Sequence, residues 1–355
     1  MSGLPRPLAI YALTRPGADL ARRLARELEE AQVFLPARLA GPGEQGFQRL
    51  GAALAQNFTR YQGHLLFAAT GIVVRALAGL LQAKDRDPAV VVVDQAGRFA
   101  ISLVSGHLGG ANRLARETAR ILGGQAVITT ATDTQGLPSL EVVAAERGCR
   151  VENLGALARF STALLEGRRP ALYDPAGWLA PALAPWREHF RFLEAPPQTQ
   201  AGGRPLAWVH WGRRQTPGSW LVIRPPALVL GLGCNRGTPV QALEELLERV
   251  LARHDLSPAS LALLASVEAK RDEPGLLELA RRRQLECRFF PATRLAAVEV
   301  PNPSALVDRH MGTASVCEAA ALLAAGSRRL LVKKQKTSEV TLALALRRPP
   351  QDTST

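Results

Sequence analysis

Ser105-Gly-His-Leu-Gly-Gly-Ala-Asn112 joins a very apolar run to a run of helical periodicity, and the fold turns on how that junction is read. Upstream lie Val90-Val-Val-Val-Asp94 and, after a turn over Gln95 to Arg98, Phe99-Ala-Ile-Ser-Leu-Val104. Both runs are short and continuously apolar, as strands buried on two faces are. Downstream, Leu114, Ala115, Thr118, Ile121 and Leu122 recur at helical spacing and stop at Gly123-Gly124, the usual glycine exit from a helix. A strand that passes through glycines into a helix N-terminus aims unpaired N–H groups at one spot, where the helix dipole also favours an anion. The stretch is therefore a candidate binding loop. The alternative is that the glycines only close the turn and that His107 caps or packs. No Gly-Lys-Ser/Thr phosphate-loop ending follows, and the spaced dinucleotide fingerprint is missing.

The flanking residues repeat the same alternation. Leu8 to Leu13 reads as a strand, 18–30 as a helix, Val33 to Leu35 as a strand and 47–58 as a helix. His64 to Ala69 is a further buried strand running into Thr70-Gly71 and a helix that carries Arg75, and Ala126 to Thr130 is a strand ending in Ala-Thr-Asp133. Such a pattern implies a mostly parallel sheet covered on both faces, with ligands gathered beyond the strand carboxyl ends. Thr70-Gly71, the Ser105 to Asn112 loop and Thr132-Asp133 are then expected to line one crevice.

From about Arg147 to Pro226 the composition changes, since all five tryptophans and ten prolines fall within 170–226. A small middle domain is expected, its large residues filling a core in preference to presenting an aromatic surface. A second alternating region opens at Ala227-Leu-Val-Leu-Gly-Leu-Gly-Cys-Asn-Arg-Gly-Thr-Pro239, where Gly233 and Gly237 read as loop and Thr238, Pro239 and Gln241 as a capping box. Leu261 to Val267 is a strand with Glu268-Ala-Lys270 at its end. Glu286 to Phe290 is another, 313–325 a helix, and Arg329 to Val332 and Val340 to Ala345 are strands flanking Lys333-Lys-Gln-Lys-Thr337. The expected fold is α/β: two mostly parallel-sheet units, residues 1–146 and 227–348, separated by a Trp- and Pro-rich domain at 147–226 and followed by a tail at 349–355.

A chain of 355 residues, 47% of them apolar, can bury a sizeable core. No apolar run approaches the length of a membrane helix, and Met1-Ser-Gly-Leu-Pro-Arg-Pro lacks the regions of a secretory signal, so a cytoplasmic location is expected. Cys149, Cys234, Cys287 and Cys317 are too dispersed for a disulfide framework or a zinc site. The net charge of +13 points to an anionic partner. Dispersed basic residues, few aromatics outside the middle segment and no recognisable motif argue against nucleic acid, whereas guanidinium groups suit a small polycarboxylate.

These motifs resemble a known family. Gly71-Ile-Val-Val-Arg-Ala-Leu-Ala, Asp87-Pro-Ala-Val-Val-Val-Val-Asp-Gln-Ala-Gly-Arg98, Ser105 to Asn112 and Val127-Ile-Thr-Thr-Ala-Thr-Asp133 resemble the N-terminal part of the CbiG family. Gly231 to Pro239, Asp272-Glu-Pro-Gly-Leu-Leu277, Val300-Pro-Asn-Pro-Ser304, Gly312-Thr-Ala-Ser-Val-Cys-Glu-Ala-Ala320 and Lys334-Gln-Lys with Val340-Thr341 resemble its C-terminal part. The resemblance covers nearly the whole chain, in the family's order. Lys333 is a local departure, standing where the family tends to have proline.

The resemblance implies a hydrolase of anaerobic cobalamin biosynthesis that opens the lactone of cobalt-precorrin-5A, expels acetaldehyde and leaves cobalt-precorrin-5B. It implies no cofactor of the protein's own, because cobalt arrives on the anionic tetrapyrrole substrate. Neither nucleic acid nor membrane is an expected partner; other enzymes of the pathway or a second copy of the chain are. A non-catalytic corrinoid-binding or handling protein is the alternative, and turnover separates the two. For the catalytic step, His107 is the candidate general base, with Glu268 and Lys270 as a second acid/base pair or an exposed ion pair. Substrate binding is expected from Gly71, Arg75, Ser105, Gly106, Gly109, Gly110, Asn112, Asp133, Gly233, Gly237, Thr238 and Lys334. Cys234 is expected to pack rather than react, and Glu318 to complete a capping box with Ser315.

Overall fold

Alternating apolar side chains along Leu8–Ala12 divide between two helical layers in the computed structural model, which describes residues 3–83, 86–197, 205–214, 216–300 and 315–350. Leu8, Ile10 and Ala12 meet the helices Arg15–Glu27 and Ala111–Leu122, while Ala9 and Tyr11 meet Leu50–Asn57 and Thr70–Leu77. Each fully buried Leu or Val contributes about 1.5–3 kcal/mol, which is why the sheet between these layers reads as unbroken apolar runs. Its strands are β1 (Leu8–Ala12), β2 (Ala31–Pro36), β3 (Gln45–Phe47), β4 (Gly63–Phe67), β5 (Ala89–Val93), β6 (Phe99–Val104) and β7 (Gln125–Val127), in the order β3-β2-β1-β4-β5-β6-β7. The sequence reading missed β3, which takes Phe47 out of the expected helix.

All neighbours in this sheet run parallel except β5 and β6. Asp94 makes that reversal: one carboxylate oxygen accepts the Phe99 N–H at 2.6 Å, the other the Ala96 N–H at 3.1 Å, and Gly97 takes a left-handed φ of 70°. Val104 therefore pairs with Val90 at the start of β5. This overturns the expectation of one crevice, because Thr70 and Gly71 follow the far end of β4, where Phe67 pairs with Val93. The Ser105 loop and Thr132-Asp133 share the opposite edge, since β7 runs with β6.

The chain divides into two compact units, Met1–Val142 and Val143–Thr355. The second contains two five-stranded sheets. One comprises β8 (Arg150–Val151), β9 (Ala171–Tyr173), β10 (Arg191–Leu193), β11 (Leu206–Val209) and β12 (Leu221–Arg224), ordered β10-β9-β11-β12-β8 and parallel except for β8. Trp208 stacks on Tyr173 at 4.6 Å and on Trp220 at 5.9 Å, and Trp178, Trp208 and Trp220 are all buried, so the tryptophans build a core. The buried Arg224 pairs with Glu152 at 2.9 Å and donates to the His210 and Gly212 carbonyls, and Gly212 in turn bridges to Leu256, which links this sheet to the next.

The other sheet comprises β13 (Leu228–Cys234), β14 (Leu261–Val267), β15 (Glu286–Phe290), β16 (Leu330–Lys336) and β17 (Val340–Leu346), ordered β15-β14-β13-β17-β16. β13, β14 and β15 are parallel, and β17 runs antiparallel between β13 and β16. Helices Val240–Arg253 and Pro274–Arg283 cover one face and Val316–Ala325 the other. Gly231 and Gly233 lie inside β13, not in a loop. A Cβ on Gly231 would overlap the Cys317 carbonyl, and one on Gly233 would stand 2.8 Å from the Thr341 hydroxyl. The expected capping box is absent: Pro239 is the N-cap, and the Thr238 hydroxyl donates to the Asn235 carbonyl at 2.9 Å. The motifs at 300–304 and 312–314 fall largely outside the described residues, as does the start of the helix expected from 313. Among the described residues no helix is long and apolar enough to cross a membrane.

Candidate active site

Ser105 leaves β6 with a left-handed φ of 57°, unusual for a residue with a side chain and a mark of a constrained junction. Its hydroxyl donates to the Asp87 carbonyl at 2.7 Å, and its carbonyl accepts the Ala111 N–H at 3.1 Å. Gly109 packs onto this turn so closely that a Cβ would overlap the Ser105 Cβ and stand 2.8 Å from its carbonyl oxygen. The loop consumes much of the anion site expected from its amides. Gly110 donates to the His107 carbonyl at 2.9 Å, and Asn112 to that of Gly106 at 3.0 Å. The Gly106 and Gly109 amides make no backbone hydrogen bond among the described residues.

The turn lifts His107 between two carboxylates. Nδ1 lies 3.0 Å from Glu141 Oε1, and Nε2 lies 3.2 Å from Asp133 Oδ2 and 3.1 Å from the Thr132 hydroxyl. The His107 side chain is 25% exposed, that of Glu141 7%. Glu141 has the largest effect, raising the His107 pKa above its ordinary value; burial opposes the rise and Asp133 adds to it. Burial alone would raise the Asp133 carboxyl, but Thr130, Arg116 and His107 hold it below its ordinary value. Glu141 behaves alike: burial pushes it up, and His107 brings it down. With a proton on each ring nitrogen, His107 donates to both carboxylates.

Asn112 and Thr130 complete the network. Asn112 Nδ2 donates to Asp133 Oδ2 at 2.9 Å and to the Thr130 hydroxyl at 3.0 Å, Thr130 donates to the same Asp133 oxygen at 2.6 Å, and the Ser102 hydroxyl donates to Asn112 Oδ1 at 2.7 Å. Arg116 pairs with the other Asp133 oxygen. A buried carboxylate on one ring nitrogen and a hydroxyl and carboxylate on the other is an arrangement that holds a proton and hands it on through Nε2.

The remaining predicted residues fall elsewhere. Gly71 and Arg75 lie at the far edge of the first sheet, where the Arg75 guanidinium donates to the Gly71 carbonyl of its own helix at 3.1 Å. Gly233, Lys270 and Lys334 line a cleft of about 410 Å³ at the carboxyl ends of β13 and β14. Gly237 donates its N–H to Glu273 at 2.8 Å, and Thr238 is buried beside it. Glu268 is exposed and pairs with Arg271 at 3.4 Å, whereas Lys270 pairs with Glu273, so the two do not form the expected pair with each other. Cys234 borders the cleft with its thiol pushed up by burial. Glu318, expected in a capping box with Ser315, is fully buried and accepts the Lys334 backbone N–H at 2.9 Å, and the Ser315 side chain makes no cap hydrogen bond. Among the described residues no group of three or more His, Cys, Asp or Glu side chains is arranged to hold a metal ion.

The sequence reading placed Thr132 with Asp133 at the crevice but missed Glu141, Thr130 and Arg116 as site members. Thr130 lies three residues before Asp133 and had a positional signal, while Glu141 stands 34 residues from His107 and had none.

Three family descriptions match the chain: Cobalamin synthesis G N-terminal over residues 52–133, Cobalamin biosynthesis central region over 138–225, and Cobalamin synthesis G C-terminus over 228–345. A cobalt-precorrin-5A hydrolase of Priestia megaterium is 31% identical across 95% of this chain and 94% of its own length. That of Salmonella typhimurium is 34% identical across 96% and 98%. A solved structure of a putative cobalamin biosynthesis protein G homolog from Sulfolobus solfataricus is 18% identical across 97% of this chain and 98% of that one, with a TM-score of 0.38.

Proposed function

The chain belongs to the CbiG family, and from that membership we propose that it hydrolyses cobalt-precorrin-5A in cobalamin biosynthesis. The observation that carries the chemistry is His107, held by buried Glu141 through Nδ1 and facing Thr132 and Asp133 through Nε2. A purely corrinoid-handling role is not favoured, because both relatives matched over nine tenths of their length are named as the hydrolase.

In the finer reading, neutral His107 takes a proton through Nε2 from the water that attacks the lactone carbonyl, while the Gly106 and Gly109 amides meet the oxyanion. Collapse of that intermediate breaks the ring C–O bond and returns the proton to the departing alkoxide. Deprotonation of the freed alcohol then breaks the adjacent carbon–carbon bond. Acetaldehyde leaves, and the conjugated macrocycle takes the electron pair. Glu141 orients the ring and stabilises the imidazolium, as the carboxylate of a catalytic triad does. The cobalt belongs to the substrate. A cytoplasmic setting accords with four free cysteines, and a second copy of the chain or a neighbouring pathway enzyme remains the expected protein partner.

The test is anaerobic incubation of the purified chain with cobalt-precorrin-5A and trapping of acetaldehyde; tight binding without release would overturn the hydrolase. The pH profile adds a sign. Because His107 must lose a proton to act as base, kcat/KM is expected to rise with pH through its raised pKa. In Glu141→Gln the largest cause of that rise is gone, so the acid limb moves to lower pH while the maximum falls. A limb unmoved in this variant would remove His107 as the titrating group.

A further inference from the structure

The cleft at the carboxyl ends of β13 and β14 has a floor of Val267, Val316 and Val340 and is flanked by Lys270 and Lys334. Behind each lysine stands a glutamate with 0% exposure. Glu273 receives the Lys270 ammonium at 3.4 Å and the Gly237 N–H at 2.8 Å, which ties the loop after β13 to the turn after β14. Glu318 receives the Lys334 backbone N–H at a point where β16 breaks register between Val332 and Gln335. Burying two carboxylates is costly, and bulges of this kind re-aim side chains beside functional sites. Only five of the 44 basic residues are lysines, and two of them flank this cleft.

Charge decides what the cleft takes. Buried Glu273 offsets Lys270, and Arg236 on the lining is paired with Asp272 at 2.9 Å. The Lys334 ammonium has no carboxylate partner among the described residues, and the Cys234 thiol is held neutral by burial. Glu339 contributes an exposed carboxylate at the rim. An apolar floor under an unmatched ammonium fits an organic acid whose hydrocarbon covers the valines and whose carboxylate meets the lysines.

We propose that this cleft binds a carboxylate arm of the corrinoid through Lys334 and Lys270, with Glu318 and Glu273 as their positioning residues. Lys270 thereby becomes an anion contact in place of an acid/base group. The naming of a corrinoid rests on the function proposed above; the carboxylate site does not.

The test measures both the equilibrium Kd for cobalt-precorrin-5A by calorimetry under anaerobic conditions and its turnover, using the full chain. Lys334→Met and Lys270→Met are each expected to raise Kd and KM about tenfold, the worth of one charge-assisted hydrogen bond, with kcat falling less than threefold. Lys334→Arg restores most of the affinity, and 0.5 M salt weakens the parent more than Lys334→Met. Glu318→Ala raises Kd like Lys334→Met, and the double variant is no weaker than either single one, a non-additivity that general destabilisation does not produce. Should Glu318→Ala fail to fold, the lysine variants carry the test. Unchanged Kd in both lysine variants of an active enzyme overturns the cleft and leaves the hydrolase standing. Binding that depends on the lysines without turnover overturns the hydrolase and leaves the cleft, and a parent that does not bind overturns both.

Discussion

His107→Ala is expected to lower acetaldehyde release from cobalt-precorrin-5A by about 10²- to 10⁴-fold, the usual contribution of a positioned acid/base group. The ring is the one member of its cluster that touches both carboxylates, so its loss disconnects Glu141 from Asp133. The fold is expected to survive. Glu141 loses the partner that held its pKa down, and burial then favours its neutral form. His107→Gln, which keeps an amide near Glu141 but cannot carry a proton, should lose as much activity with less effect on thermal stability. Release within tenfold of the parent in a folded, corrinoid-binding His107→Ala would remove the residue from the mechanism.

Gly231→Val is expected to prevent the second unit from folding. A Cβ at this position overlaps the Cys317 carbonyl and comes within 2.8 Å of the Ala321 Cβ and 2.9 Å of its nitrogen. The obstacles include backbone atoms of a helix in which Ala319, Ala320 and Ala321 are no more than 1% exposed, so nothing can swing aside. A loss above about 4 kcal/mol is expected, enough to leave the chain insoluble or its second unit without a thermal transition. Tryptophan fluorescence reads this directly, because all five tryptophans belong to the second unit. Gly51→Ala is the control: a Cβ there meets nothing within 4 Å, and alanine in a helix is worth up to about 1 kcal/mol over glycine. A soluble Gly231→Val with an unchanged tryptophan transition would show the helix to be more yielding than its packing indicates.

Much of the candidate site was legible because it is local. The glycine spacing of Ser105 to Asn112 marked the loop and its histidine, and Asp133 at the end of the next apolar run marked a partner that the structure places 3.2 Å away. The separation of Gly71 and Arg75 from the Ser105 loop was legible as well. Only five residues, Asp94 to Arg98, separate β5 from β6, and a parallel crossover needs a dozen or more. A hairpin was thus implied, and with it a Ser105 loop on the amino-terminal edge. The glycines of β13 were harder to read, since a glycine that lets a helix approach a strand and one that opens a loop look alike in sequence.

By itself the sequence determined the alternation of buried strands and amphipathic helices, the family, the loop and its histidine, because apolar periodicity, glycine placement and motif order are properties of neighbouring residues. Tertiary structure alone decided that Glu141 holds His107, that Glu318 receives the Lys334 backbone N–H, and that Glu268 faces Arg271 at the surface. Each of these depends on which residues the strand order brings together. A carboxylate becomes an orienting group, a backbone acceptor or a solvated charge according to its burial and its neighbours, and those are set by packing between segments far apart in the chain.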